Sequence, residues 1–553
     1  MSDAASAIPP LSRHAAARGY RGRGPEDRLI ERTTLPQVLA GVPAHGGPAL
    51  TWYEAERRVL HFDAAALLRQ VRALAHWFAR GHGITRGDRV IVLSANSPEA
   101  FATHLALMSL GAVTVPVSNT ESPRVLQLIA DKVTPRLVVT GREVSAELVA
   151  ARPGGMVALP ALPLAADGDA GFEWPARDVM PDDPAVILFT SGTTSAPKGV
   201  CLSHYNLLVN AEGLSRIHDL ARRRVHMCVL PLFHANAFGF SMVASLYAGS
   251  HVVLSAGLPG AAVWDILRAE RVDVISLVPE IIRVLSRMPV PRDTLPDLKY
   301  VTSAAAPLPK TVAREFVDRT GIPIHQGYGL SECVNFAATL PWDVPDADLE
   351  RSMGHWAVPS IGPALFGCDI GIRRADGSPA GAEEEGEIVV TGHTLMRGYW
   401  DAGDATEAAL GEGALRTGDL GFFALVGGER YIFVTGRKKE IVIRYGENLS
   451  PLAIEAELEA LRAVGRFAVT GFPNEAAGEE IGLYLVVPRT PDNERKVLDA
   501  VKACSVRYRP RVVLFGADPI PATPTGKVKR AVLAQRFQAY ARRNFGSEPV
   551  VGT

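Results

Sequence analysis

AVILFTSGTTSAPKGV, residues Ala185–Val200, changes character at its midpoint. Ala185–Phe189 is an apolar run with the branching expected of a buried strand. Thr190, Ser191, Gly192, Thr193, Thr194 and Ser195 follow without a spacer, then Pro197, Lys198 and Gly199. Glycine lets a backbone aim several N–H groups at one ligand, while hydroxyls and an ammonium add further donors. A polyphosphate needs that donor set. The spacing is not GxxxxGK[ST], so this is not the Walker loop. A plain polar turn after a strand accounts for one or two of these residues but not for the whole string.

Outward from that stretch, strand-like runs alternate with helical patterns. RVIVLSAN (Arg89–Asn96) precedes a helix expected from Ser97-Pro98, with Ser as cap and Pro in the first turn. GAVTVPVS (Gly111–Ser118), a helix around Val125–Asp131 and RLVVTG (Arg136–Gly141) continue the pattern. HVVLS, DVISLVP and KYVTSAA extend it. This alternation predicts an α/β protein whose largely parallel sheets are covered by helices. From Val229 to Trp264 there is no Asp, Glu, Lys or Arg. Pro231, Gly239, Gly249, Gly257 and Pro259 cut that run into a strand, a helix of about 238–247 and a second strand. Those pieces are too short for a membrane span and read as buried core.

After about Gly362 the texture changes to short strands with polar turns: DIGIRR, GEIVVTG and ERYIFVTG (Glu429–Gly436). From Arg437 onward an amphipathic helix, IEAELEALR (Ile454–Arg462), two strands (RFAVTGF, GLYLVVP) and a helix near Lys502 read as a small α+β domain. The expected organisation is a disordered tail over 1–28, a body over 29–435 and a mobile cap over 436–553. The body would hold two α/β subdomains and a β-rich one. The tail carries Arg13, Arg18, Arg21 and Arg23 without the apolar core of a signal peptide. Its Arg and Ser content is also that of an organellar transit peptide.

Lys plus Arg is 58 and Asp plus Glu 59, a net charge of −1, which excludes a chain-wide basic footprint for nucleic acid. Five cysteines in 553 residues, none in a CxxC pair, exclude a disulfide scaffold and a cysteine-based zinc site. A cytoplasmic enzyme, monomer or homodimer, without a transmembrane segment is the expectation.

FTSGTTSAPKG closely resembles the phosphate loop of adenylate-forming enzymes: acyl-CoA synthetases, aryl-CoA ligases, peptide-synthetase adenylation domains and firefly luciferase. PLFHANAFG (231–239), HQGYGLSE (325–332), LRTGDLG (415–421), GRKKEIVIRYGENLSP (436–451) and PTGKVKR (524–530) match further motifs in order. The resemblance covers the chain from about residue 30.

It implies two steps. A carboxylate attacks the α-phosphate of ATP, releasing pyrophosphate and leaving an acyl-adenylate, and the thiol of coenzyme A then displaces AMP. By resemblance, Thr190, Ser191, Gly192, Thr193, Thr194 and Lys198 hold the phosphates. Gly327, Tyr328, Gly329 and Ser331 line the nucleotide, and Asp419 takes the ribose hydroxyls. Arg437, Lys439 and Asn448 stand on the same side. Glu332, with Thr190, holds Mg²⁺, a hard cation suited to such oxygens. Lys527 is the leading catalytic residue, with Glu332 and His234 beside it, and Gly436 is the hinge on which the cap swings.

His234 either orients the acid or packs. It, Asn236, Ser303, Ala304, Ala305, Gly327 and Cys333 form the expected acid pocket, whose small residues leave room for an aryl ring or an alkyl chain. Phe233-His234-Ala235-Asn236 lacks the Asp with which peptide synthetases pair an α-ammonium, which favours an acid without one. Two places depart from the pattern. Ser195 replaces a loop glycine, and Ile443 and Tyr445 stand where coumarate ligases and luciferase carry lysines, with Arg444 as a substitute cation. The expected function is therefore fatty- or aromatic-acid activation with CoA as acceptor. A separate acyl carrier protein as acceptor, or a non-catalytic nucleotide-binding homologue, are the alternatives.

Overall fold

The computed structural model describes residues 14–42, 46–141, 144, 147–148, 156–162, 178–190, 197–222, 225–289, 295, 297–523, 526–546 and 548–552. Ser191, Gly192, Thr193, Thr194 and Ser195 of the phosphate loop lie outside them, as do residues 1–13 of the tail.

Strand Arg89–Leu93 pairs in parallel with Val113–Val117 on one side and Leu137–Thr140 on the other. Its apolar residues are buried on both faces, as a central parallel strand requires. Helix Pro98–Ser109 begins where expected: Ser97 Oγ accepts the Ala100 N–H at 3.0 Å. All of that helix is buried, which fits its apolar character all round. It packs on Val113–Val117 and on helix Ala64–His76, which in turn packs on strands Pro48–Glu54 and Arg57–Asp63 of a second sheet. Helices thus fill the space between two large sheets.

Among the described residues one of those sheets has seven strands and the other eight, and both are mostly parallel with antiparallel edges. The run from Val229 to Trp264 lies inside this body. Asn236–Ala244 forms a wide helix with π-type hydrogen bonding, Ser245–Ala248 an α-turn, and His251–Ser255 a buried strand. No helix among the described residues is long and apolar enough to cross a membrane.

The stretch that opened the reading sits on an antiparallel edge. Strand Pro184–Thr190 pairs with Lys198–Ser203, Thr190 opposite Lys198, so the phosphate loop joins two strands and not a strand and a helix. A four-stranded antiparallel sheet follows, Cys368–Arg373, Gly386–Gly392, Leu415–Val426 and Glu429–Arg437. Residues beyond 441 build two cores of their own, one around Ile454, Val469 and Phe515, the other around Phe472 and Phe537. The helix expected over Ile454–Arg462 is divided into α-helix Pro451–Glu457 and a 3₁₀ turn Glu459–Ala463.

Residues 14–28 correct the expectation of a disordered tail. Ala17, Arg18 and Tyr20 are buried, the Tyr20 ring meets those of Phe366 and His393, and Arg28 pairs with Asp182 at 2.5 Å. A four-residue helix (Ala15–Arg18) and turns have no periodicity to read, and their partners lie hundreds of residues away.

Candidate active site

Expected residues gather in two clusters, one around Glu332 and one around Asp419. Glu332 lies in a 3₁₀ turn, Ser331–Cys333, directly after strand Ile324–Tyr328. Its Oε1 accepts a hydrogen bond from the Tyr399 hydroxyl at 2.8 Å. Lys198 Nζ stands 4.8 Å from the centroid of the same Tyr399 ring. Burial and the Glu332 carboxylate raise the Tyr399 phenol far above its ordinary range, so it is a fixed donor. Strand Gly398–Tyr399 pairs with Lys198–Ser203, which is why these groups meet. Tyr399 was not singled out from sequence; its only signal is its place in an aromatic pair, Tyr399-Trp400, far from any motif read there.

A second cluster surrounds Asp419, 4% exposed. Its Oδ2 accepts from the Tyr328 hydroxyl at 2.7 Å, and its Oδ1 lies 2.7 Å from Arg437 Nε. Asp419 and Arg437 are direct cross-strand partners, so backbone register sets the ion pair. Burial works against the Arg437 charge, but Asp419, Glu440 and Tyr328 outweigh it and raise its pKa.

Lys527 joins this cluster from the cap. Gly526 takes φ +85°, Thr523 N–H donates to Lys527 O at 2.8 Å, and Lys527 N–H donates to Thr523 Oγ1 at 3.1 Å, a tight turn. A Cβ on Gly526 would stand 3.8 Å from Glu280 Cβ of the body, so the turn is seated against helix Pro279–Leu285. Burial, and next the Arg437 guanidinium, lower the Lys527 pKa to about 8, with Asp419 and Glu440 opposing. Gly436 is closely approached: a Cβ there would meet Ser450 Oγ at 2.6 Å, while that hydroxyl donates to Thr435 O.

The residues expected to form the acid pocket have a different chemistry. Asn96 staples the turn that carries His234: its Nδ2 donates to Leu230 O and Ser255 O, and its Oδ1 accepts from Leu232 N–H. Burial lowers the His234 pKa to about 4, so the ring is neutral, and its Nε2 is buried without a partner among the described residues. Asn236 Oδ1 accepts from Ser276 Oγ at 2.9 Å, whereas its Nδ2 is likewise unpaired. Ser303 Oγ, one strand over from Leu277, is a third such atom.

Asn335 Nδ2, not expected from sequence, is the fourth. It is aimed by strain. Val334 holds φ +70° and ψ −63°, and Asn335 N–H closes the turn onto Cys333 O at 2.9 Å. That is the rare positive-φ γ-turn, costing about 1–3 kcal/mol for a branched residue. Asn335 packs on Gly239, one turn along the helix from Asn236.

Other expected residues lie elsewhere. Gly327 and Gly329 are needed by the protein itself, since a Cβ would meet the Phe336 ring at 2.7 Å and Asn335 O at 1.6 Å. The Cys333 thiol is spent on the Leu330 backbone inside its turn, and all five cysteines are buried thiols. Ala304 is buried and Ala305 is exposed at φ +72°. Lys439 and Asn448 are exposed, and no hydrogen bond or ion pair among the described residues joins them to Asp419 or Arg437. Arg444 corrects the notion of a substitute cation: it is buried against Glu480 at 2.9 Å. Ile443 and Tyr445, 53% and 68% exposed, are what that hairpin presents instead.

Residues 48–400 match the family model described as AMP-binding enzyme. The chain is 33% identical over 501 residues to a feruloyl-CoA synthase from an Amycolatopsis species, covering 89% of this chain and 95% of that one. It is 34% identical over 485 residues to an indoleacetate–CoA ligase from Aromatoleum aromaticum, covering 84% and 91%. Its fold matches ATP-bound MatB from Rhodopseudomonas palustris with a TM-score of 0.79 at 25% identity, over 92% of this chain and all of that one. The chain belongs to the AMP-binding enzyme family, as an AMP-forming acid–thiol ligase that activates a carboxylic acid with ATP and passes the acyl group to coenzyme A.

Proposed function

We propose that the acid carries hydrogen-bonding groups on its body, as a hydroxylated or methoxylated aryl acid does, and that Lys527 drives its adenylation. The observation that carries the first claim is the set of four buried polar atoms on His234, Asn236, Ser303 and Asn335. An unpaired buried donor costs about 1–3 kcal/mol, so a ligand that satisfies it gains over one that cannot. The relatives named for feruloyl and indoleacetate substrates support an aromatic body.

In the first half-reaction the carboxylate oxygen bonds to the α-phosphorus while the bond from that phosphorus to the bridging oxygen breaks. Both partners are anionic, so charge neutralisation is the main task. Lys527, turned toward Arg437 and Asp419, reaches the carboxylate and α-phosphate oxygens. Asp419 fixes the ribose while Arg437 and Tyr328 hold its carboxylate in place. Lys198 meets the outer phosphates.

Glu332 with Thr190 would hold Mg²⁺, which supplies charge neutralisation on the phosphate oxygens. A lone carboxylate fits that ion, which takes its other oxygens from phosphate and water; no cluster of three or more ligating side chains exists among the described residues. In the second half-reaction the thiol gives up its proton to solvent and its sulfur bonds to the acyl carbon, the acyl carbon–oxygen bond of the mixed anhydride breaks, and AMP leaves with that oxygen. We place this after a swing of the 436–553 cap that withdraws Lys527, in a cytoplasmic monomer or homodimer.

The test is acid-dependent pyrophosphate release over paired aryl acids with and without ring hydroxyls, and over alkyl acids, with and without CoA. Hydroxylated acids are expected to lead by about tenfold or more per added hydrogen bond. Equal use of unsubstituted alkyl acids would refute the polar pocket. Adenylate that CoA does not consume would point to a carrier protein.

A further inference from the structure

Arg18 is among the most deeply buried side chains in the molecule, 2% exposed, although it carries a charge and lies in the short N-terminal helix Ala15–Arg18. Its Nη2 donates to Arg397 O at 2.6 Å and its Nε to Met396 O at 3.4 Å. Those two peptides immediately precede strand Gly398–Tyr399. The same segment is tied forward into the site. Met396 N–H donates to Glu332 O at 2.8 Å, Arg397 N–H to Cys201 O at 2.8 Å, and Trp400 N–H to Gly199 O at 2.7 Å. The Tyr399 hydroxyl ends on Glu332 and its ring lies beneath Lys198.

The surroundings make this placement expensive. Arg397 is a second cation beside Arg18, and its own Nη1 is turned away to Asp182 O at 2.5 Å. Asp182 is also held by Arg28 of the same N-terminal segment. A buried guanidinium next to another cation is poorly explained by packing alone, since an apolar chain of that volume would fill the space without the desolvation cost. What only a guanidinium supplies is a planar fork of donors spanning two successive carbonyls.

We propose that the N-terminal segment is part of the catalytic apparatus, and that Arg18 is a positioning residue that fixes Met396–Arg397 so that Tyr399 orients Glu332 and supports Lys198. The inference rests on the assignment of Glu332 and Lys198 to the metal-bound triphosphate. Residues 14–28 then act as a strap drawn under the site from behind, not as a tail.

The experiment is equilibrium titration of the full-length protein with ATP plus magnesium, and with ATP in EDTA. It compares wild type, Arg18→Met, Arg18→Lys, Tyr399→Phe and the Arg18→Met/Tyr399→Phe double variant. Groups that orient a metal-binding carboxylate contribute about 10- to 100-fold to metal affinity. Arg18→Met should therefore weaken the magnesium complex by about that factor and metal-free ATP far less. The KM for the acid should stay unchanged. Lysine, which keeps the charge but not the fork, should fall between. The double variant should bind no worse than Tyr399→Phe alone, because both changes break one chain of contacts.

Additive losses in the double variant, or equal weakening with and without magnesium, would overturn the proposal. Should Arg18→Met not fold, Arg18→Lys in the same cycle gives the same decision. Wild-type binding that ignores magnesium altogether would instead remove the Glu332 assignment on which the inference rests.

Discussion

On the proposed nucleotide side, both carboxylates already have protein partners: Asp419 lies between Arg437 and Tyr328, and Glu332 accepts from Tyr399. On the acid side, His234 Nε2, Asn236 Nδ2, Ser303 Oγ and Asn335 Nδ2 have none among the described residues. The difference fits what each side is proposed to bind. A triphosphate brings several negative charges, and preorganised charges that need no rearrangement stabilise its reaction best. An acid is chosen by its body, and neutral donors left unpaired penalise whatever fails to meet them.

The comparison breaks most sharply at Lys527, where the paired network must turn into catalysis. Lys527→Ala should lower adenylate formation by about 10²–10³-fold, the usual cost of one group aimed at developing charge. Circular dichroism should be unchanged; full retained activity would end its assigned role. The pH dependence follows from its lowered pKa of about 8. The ammonium is the working form, so kcat/KM for ATP should hold at neutral pH and fall as pH rises through about 8. An invariant profile from pH 7 to 9 would contradict this.

On the acid side, Asn236→Leu and Asn335→Leu should each reduce use of hydroxylated aryl acids by about tenfold, one lost hydrogen bond apiece. Use of unsubstituted acids should be unchanged or rise, as measured by pyrophosphate release. A parallel fall for both acid classes would mean that these residues only pack.

Gly436→Ala probes the seam where the cap meets the nucleotide side. The added methyl crowds Ser450 Oγ in the arrangement seen here, and the proposed swing would relieve it. Adenylate formation should drop by about three- to tenfold, the worth of the Ser450–Thr435 hydrogen bond, with thioester formation from preformed adenylate affected less. Quenched single turnovers separate the two, and Ser450→Gly should restore the first.

The smallest effect expected is at His234. With a pKa near 4 it stays neutral from pH 5 to 8, so His234→Gln should leave the shape of the pH profile in that window unaltered. Loss of an acidic limb there would show that the ring titrates during turnover. For stability the sign is clear. Buried neutral His104 and His226, both near 3, and His234 resist protonation that the unfolded chain accepts below about 6.5. Their contribution is full above that pH and declines as pH falls toward about 3, readable in urea midpoints.

Legibility differed between the same two sides. Ser97 as a helix cap, the buried strand Arg89–Leu93 and the strand ending at Thr190 could all be read locally, because capping and periodicity act within a few residues. Asp419 and Arg437 were legible as motif members, and register made them neighbours. Tyr399, Asn335 and Asn96 were not. Tyr399 serves Glu332 across 67 positions, and Asn96 staples Leu230 across 134. Arg18 was misread for the same reason, since its carbonyl partners lie 378 and 379 residues away.

The sequence by itself determined the α/β class and the order of the motifs, since each depends on residue types within one turn or strand, and through the resemblance those motifs carry it implied the adenylating chemistry. Only the tertiary structure decided which side chains meet, that Arg444 pairs with Glu480, and that Arg18 is buried against the carbonyls of Met396 and Arg397. Those outcomes depend on desolvation and on partners brought together from distant strands, and no local pattern encodes either.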